Sequence, residues 1–138
     1  MKNKTSLESY GATTGQTPPA PAPENLGEVV ISPEAIAIIA AEAVMEKGYG
    51  VVGLAARRLR NGRAEMLRPE NVKDGIQVRF EGKEIIVDLY VIIEYGLRIS
   101  EVAHNMMYNV KFEVERHLGM PVAQVNVNVQ GLSNTTKN

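Results

Sequence analysis

Residues 75–96, GIQVRFEGKEIIVDLYVIIEYG, constrain the fold more than any other part of the chain. Ile76, Val78 and Phe80 alternate with Gln77, Arg79 and Glu81, the period of a half-buried strand. Gly82 and Lys83 then suit a two-residue hairpin loop with glycine first. That loop sets Phe80 against Ile85, Val78 against Val87 and Ile76 against Leu89, apolar on apolar at each pair. A slip of one residue would turn the whole set to the other face. On that other face Gln77 opposes Asp88, and Arg79 lies diagonal to Asp88 within reach of an ion pair, so Asp88 reads as a surface partner of Arg79. Ile86, Tyr90 and Ile92 share this second face, which is less polar than a free sheet face, and part of it is expected to be covered.

The flanking segments supply the remaining elements. Ser32, Pro33 and Glu34 combine an N-cap, a first-turn proline and a first-turn acid, and Gly48 closes the helix they open. EVVIS at 28–32 precedes this helix and VVGLAA at 51–56 follows it, and both read as strands. Ser100 is the expected N-cap of a second helix that ends at Leu118-Gly119, with Ile99, Val102, Ala103, Met106, Val110 and Val114 on one stripe. Ala123, Val125, Val127 and Val129 alternate with Gln124, Asn126, Asn128 and Gln130 in a last strand. The order strand, helix, three strands, helix, strand predicts a two-layer α+β sandwich with two helices on one face of a mixed sheet. The domain spans 27–132. Residues 1–26, which include TTGQTPPAPAPEN, are too poor in large apolar side chains to offset ordering entropy and read as a disordered tail, and 133–138 as a frayed one.

Catalytic chemistry finds little support. GYGVVG, residues 48–53, spells the G-x-G-x-x-G of dinucleotide sites, but such a site needs a strand running into a glycine turn that opens a helix. Here a helix ends and a strand begins. Gly48 caps, Gly50 turns, and Gly53 sits in the strand where a neighbour comes close. GVVG within it lacks the two helices and the polar centre of a KH clamp. Asp88 and Glu94 share a strand face but stand about 20 Å apart, too far for a glycosidase pair. His104 and His117, the only histidines, fall on different sides of their helix with no metal or triad partner. The chain has no cysteine, which removes disulfides, thiolate catalysis and cysteine-bound metal together. No catalytic residue, cofactor-binding residue or metal ligand is expected. The N-terminal lysines precede no apolar signal core, and no stretch reaches the ~18 apolar residues of a span, so neither a standard secretion signal nor a membrane helix is expected.

Two features suit interaction instead. A net charge of -1 gives no global pull toward nucleic acid or anionic lipid. Locally, however, Arg57, Arg58, Arg60, Arg63 and Arg68 crowd a connection expected to hold one helical turn at 64–67. They are candidate contacts for an anion or acidic partner, and they carry the alternative of a nucleic-acid-binding or regulatory protein, although no aromatic residue is interleaved to stack a base. A solvated loop explains the same residues. The first helix carries a second apolar stripe, Ile38, Ala41 and Met45, beyond its main stripe of Ile36, Ile39, Ala40, Ala43 and Val44. Tyr108 and Phe112, one turn apart and away from the core stripe, repeat the pattern on the second helix. These five are the candidate interface for a second copy or an amphipathic partner helix.

GVVGLA, VDLYVIIEYG, ISEVAHNMMYNVKFEVERHLG and VNVNVQGL, in that order over residues 27–132, resemble the alkaline-shock-protein family of Gram-positive bacteria. The resemblance implies a non-enzymatic protein of the cell-envelope stress response, cytoplasmic, and held at the membrane through a small anchoring protein rather than a span of its own. Within the family the chain is similar to a housekeeping branch linked to lipid metabolism. The family defines no active site to carry over.

Overall fold

The computed structural model describes residues 26–134, so the tails expected at 1–26 and 133–138 lie outside the described residues except at their inner ends. The described residues fall into two units that meet between Val30 and Ile31. Within the first, residues 26–30 hold no helix or strand, and Leu26, Val29 and Val30 are exposed. The strand expected over 28–32 does not form. Among the described residues nothing covers Val29 and Val30, and a strand without a neighbour leaves its backbone groups unpaired while burying no side chain.

The second unit runs through α1 (Pro33–Lys47), β1 (Val51–Leu54), a 3₁₀ helix (Pro69–Gly75), β2 (Ile76–Glu81), β3 (Glu84–Glu94), α2 (Ile99–Leu118) and β4 (Gln124–Ser133). The Ser32 hydroxyl caps α1 by accepting the Ala35 N–H at 3.1 Å. Gly48 ends it, and a Cβ there would stand 2.4 Å from the Val44 carbonyl oxygen. α2 begins at Ile99 with Arg98 in the cap position and no side-chain cap bond, so Ser100 lies inside the first turn rather than capping it. Ile99 is correspondingly exposed, outside the buried stripe of Val102, Met106, Val110 and Val114. Gly119, at φ +72°, ends α2 in the left-handed conformation that a side chain would resist.

β3 organises the sheet. β2 pairs with it antiparallel in the expected register, Phe80 opposite Ile85, Val78 opposite Val87 and Ile76 opposite Leu89. β1 pairs antiparallel with the far end of the same edge, Leu54 opposite Val91. β4 runs parallel along the other edge, Val127 opposite Leu89. β1 and β2 are thus two pieces of one interrupted edge strand, and residues 55–75 are an excursion from it. β4 runs one residue into the tail expected to fray, because Leu132 and Ser133 still pair with Ile93 and Glu94.

Both helices cover one face of the sheet. Ile85, Val87, Leu89, Val91 and Ile93 are no more than 1% exposed beneath them. Each such aliphatic side chain contributes about 1.5–3 kcal/mol of burial. The other face holds Ile86, Asp88 and Ile92, all buried, so Asp88 is no surface group.

Part of that face is covered by a β-hairpin arm rather than a helix. Leu67 N–H donates to the Leu54 carbonyl and Ala56 N–H to that of Glu65, each at 2.8 Å. Arg60 and Arg63 exchange backbone bonds at 2.8 and 2.9 Å around Asn61 and Gly62, whose φ values are +54° and +75°. Positive φ at both central residues is the tight turn that Asn-Gly favours. The helical turn expected at 64–67 is therefore absent: Glu65 and Met66 pair with Ala56 and Ala55, and Leu67 with Leu54 at the end of β1. Gly53 and Gly131 flank Ile92 on its two neighbouring strands. A Cβ at Gly53 would meet Met66 Sδ at 3.1 Å, and one at Gly131 would meet the Ala64 Cβ at 2.9 Å. The two glycines make the room into which the arm settles.

Candidate functional site

Between α1 and the 3₁₀ helix lies an open groove of about 420 Å³. Ile38, Ala41 and Met45 line it from α1, and Pro69 and Val72 from the 3₁₀ helix. Ile38 and Met45 are 53% and 54% exposed, whereas Ala41, at 3%, forms the floor. The second apolar stripe of α1 thus faces a groove wall rather than open solvent. Glu42, Glu70 and Lys73 complete the lining. Lys73 donates to Glu34, and this pairing raises the lysine's pKa and lowers the carboxyl's.

Tyr108 and Phe112, 70% and 52% exposed, project from α2 and line neither this groove nor the cleft between the two helices. The five candidate interface residues accordingly fall into two places: Ile38, Ala41 and Met45 together, and Tyr108 with Phe112 separately.

The cleft between α1 and α2 is polar. Lys47 donates to the buried Glu113 carboxylate, whose other oxygen accepts from Arg116 at 2.8 Å. The Lys47 and Arg116 bonds pull the Glu113 pKa down to about 2. Asn109 donates to the Lys47 carbonyl at 3.2 Å, satisfying an end-of-helix acceptor of α1 from α2. Glu113 went unrecognised in the sequence, although a signal was present: it falls within the apolar stripe of α2, where a charge requires a partner.

On the opposite side of the sheet, Arg79 Nε donates to Asp88 Oδ2 at 2.8 Å and Asn126 Nδ2 to Oδ1 at 2.9 Å. Burial pushes the Asp88 carboxyl upward, but the bonds from Arg79 and Asn126 outweigh it and hold the group below its usual value. The expected Arg79 partnership is present, and both carboxylate oxygens are taken up in joining β2, β3 and β4.

The arm presents Arg57, Arg58, Arg60 and Arg63, all exposed, with Arg68 just beyond it. Arg60 approaches Glu65 at 3.8 Å. Among the described residues the other four arginines have no ion-pair partner. Gln130 Nε2 ties the arm to β4 by donating to the Ala56 and Arg57 carbonyls at 3.2 and 3.0 Å. The five arginines are thus carried on a tethered hairpin and its exit, not on a loose loop.

The glycine pattern keeps its helix-to-strand order. Gly48 caps α1, Gly50 turns at φ +83° beneath Leu97 and Val102, and Gly53 lies in β1 against Met66. No helix N-terminus follows to receive a phosphate. Among the described residues no group of three His, Asp or Glu side chains could hold a metal ion, and no helix is long and apolar enough to cross a membrane.

The ASP23 (alkaline-shock-protein) family, described as having a cell envelope-related function, matches residues 21–134. The chain is 45% identical to the uncharacterized protein YloU of Bacillus subtilis over 107 residues, 77% of this chain and 88% of that protein. It is 36% identical to the uncharacterized protein Spy1614 of Streptococcus pyogenes, with the same shares covered. A stress response regulator gls24 homolog of S. pyogenes is 28% identical over 62% of this chain and 48% of its own length. No solved structure matches. The chain belongs to the alkaline-shock-protein family, whose function is related to the cell envelope.

Proposed function

We propose that this protein is a non-enzymatic interaction module of the envelope stress response, and that the groove between α1 and the 3₁₀ helix receives an apolar segment of a protein partner. The single observation that carries this reading is the pairing of exposed Ile38 and Met45 with Pro69 and Val72 around a buried Ala41 floor. A small residue at the floor with large apolar residues on both walls is the shape an amphipathic helix enters with its apolar face. Tyr108 and Phe112 offer a second, aromatic contact of the kind that anchors interfaces. A small membrane-anchoring protein is the partner class that suits a family with an envelope-related function and a chain whose described helices do not span a bilayer. Residence on the cytoplasmic side and a link to lipid metabolism belong to the same proposal.

The alternative is a regulator that binds nucleic acid through the arginine arm. Arg57, Arg58, Arg60 and Arg63 on one hairpin favour an anion, but the arm offers no aromatic side chain for a base. The two readings separate by salt: nucleic-acid binding falls steeply as salt rises, whereas an apolar groove contact does not. The deciding experiment is co-purification from detergent-solubilised membranes of the native host at raised salt, comparing the wild type with I38S/M45S. The proposal requires a stoichiometric partner with the first and its loss with the second.

A further inference from the structure

The sheet has three edge segments, and they differ in protection. β1 is four residues long and is closed off at its end, where Leu67 N–H donates to the Leu54 carbonyl. β2 is six residues long and carries Arg79 and Glu81. Short length and charge are the usual means of keeping an edge from recruiting another strand. β4 has neither. It runs ten residues, QVNVNVQGLS, with no charged residue and no proline, and among the described residues it pairs on one side only, with β3.

We infer that the outer edge of β4 joins a second copy of this chain, antiparallel, about a two-fold axis through Val127. Such an axis sets Val125 opposite Val129 and Asn126 opposite Asn128, with Gln124 opposite Gln130. Every pair then matches apolar with apolar or amide with amide, as an antiparallel ladder prefers. No charge meets a like charge along the seam. A foreign strand would have to supply this alternation, whereas a second copy has it by construction.

The layer above the sheet agrees. A two-fold perpendicular to the sheet keeps the helices of both copies on one face and brings their α2 helices side by side. On α2, Asn109 reaches α1 while Lys111 reaches the Val122 carbonyl just before β4, so the two flanks of the helix are distinguished. Met107 falls on the Lys111 flank at ~100° per residue. Met107, Leu118, Val127 and Val129 are only partly buried against the core. Half-covered apolar groups beside an unpaired edge are what a second copy would finish covering.

Sedimentation of the full chain over a wide concentration range, with N128K and N128E, tests the inference. Across the proposed axis the two copies of residue 128 are diagonal neighbours, so like charges there oppose pairing. The wild type should form a concentration-dependent dimer. N128K and N128E should each weaken it tenfold or more, and their equimolar mixture should recover it, which also shows that both variants fold. Amide exchange of the wild type should slow over residues 124–130 as concentration rises. A wild type that stays monomeric with unprotected β4 amides, folded variants that dimerise unchanged, or a dimer lost in I38S/M45S would each overturn it.

Discussion

Lys47, the last residue of α1, donates to Glu113, buried in the C-terminal half of α2, so one ion pair joins the two helices at the point where α1 ends. The carboxyl's folded pKa of about 2 lies below its ordinary 4.5. A depressed carboxyl binds fewer protons folded than unfolded, so its stabilisation is fully present above about pH 4.5 and is lost as pH falls toward 2. Chemical denaturation should show E113Q less stable than the wild type at pH 7, with the difference shrinking across that window. A difference that stays constant from pH 6 to pH 2.5 would place the effect of E113Q elsewhere.

Gly131 is predicted to hold the arm down by having no side chain. A valine there would drive into Ala64, whose Cβ lies within 2.9 Å of any added Cβ. G131V should speed exchange of the Ala56 and Leu67 amides, which bond the arm to itself and to β1, by an order of magnitude or more. The core amides of Val87 and Leu89 should change little.

The outer residues of both helices are predicted to be thermally silent. Substitutions at exposed positions away from caps and buried networks usually change stability by about 0.5 kcal/mol or less. Calorimetry of Y108S/F112S should therefore give a melting temperature within a few degrees of the wild type, while partner capture weakens tenfold or more. Unfolding of this variant would show that the two aromatics belong to the core.

The glycine turn should bind no nucleotide. Calorimetric titration with NAD, FAD and ATP should show no saturable heat, because Gly50 leads into a strand, β1, that contains Gly53. A micromolar dissociation constant for any of the three would overturn the order-of-elements argument.

How much of this was legible follows from how local each signal is. The β2–β3 register was readable because Gly82 fixes the turn and the alternation on both sides admits one face. The caps at Ser32, Gly48 and Gly119 are equally local. The arm was only half legible. Asn61-Gly62 marks a turn in any chain, but its folding over Ile92 depends on Gly53 and Gly131, which lie far apart in sequence. The parallel run of β4 and the end-to-end placement of β1 and β2 are likewise long-range facts. EVVIS misled because apolar content signals a strand only when a partner exists to cover it. The candidate interface was readable as two helical stripes, but the groove wall opposite Ile38 and Met45 comes from a 3₁₀ helix whose place no periodicity reports.

The central claim is that the α1 groove receives a protein partner, and photo-crosslinking inside the native host tests it most directly. A photoreactive residue replacing Ile38 should give one discrete crosslinked species in the membrane fraction, abolished by M45S, while the same group at Lys83 in the β2–β3 turn should give none. Equal crosslinking from both positions, or none from Ile38 in cells where the protein is abundant, would contradict the account.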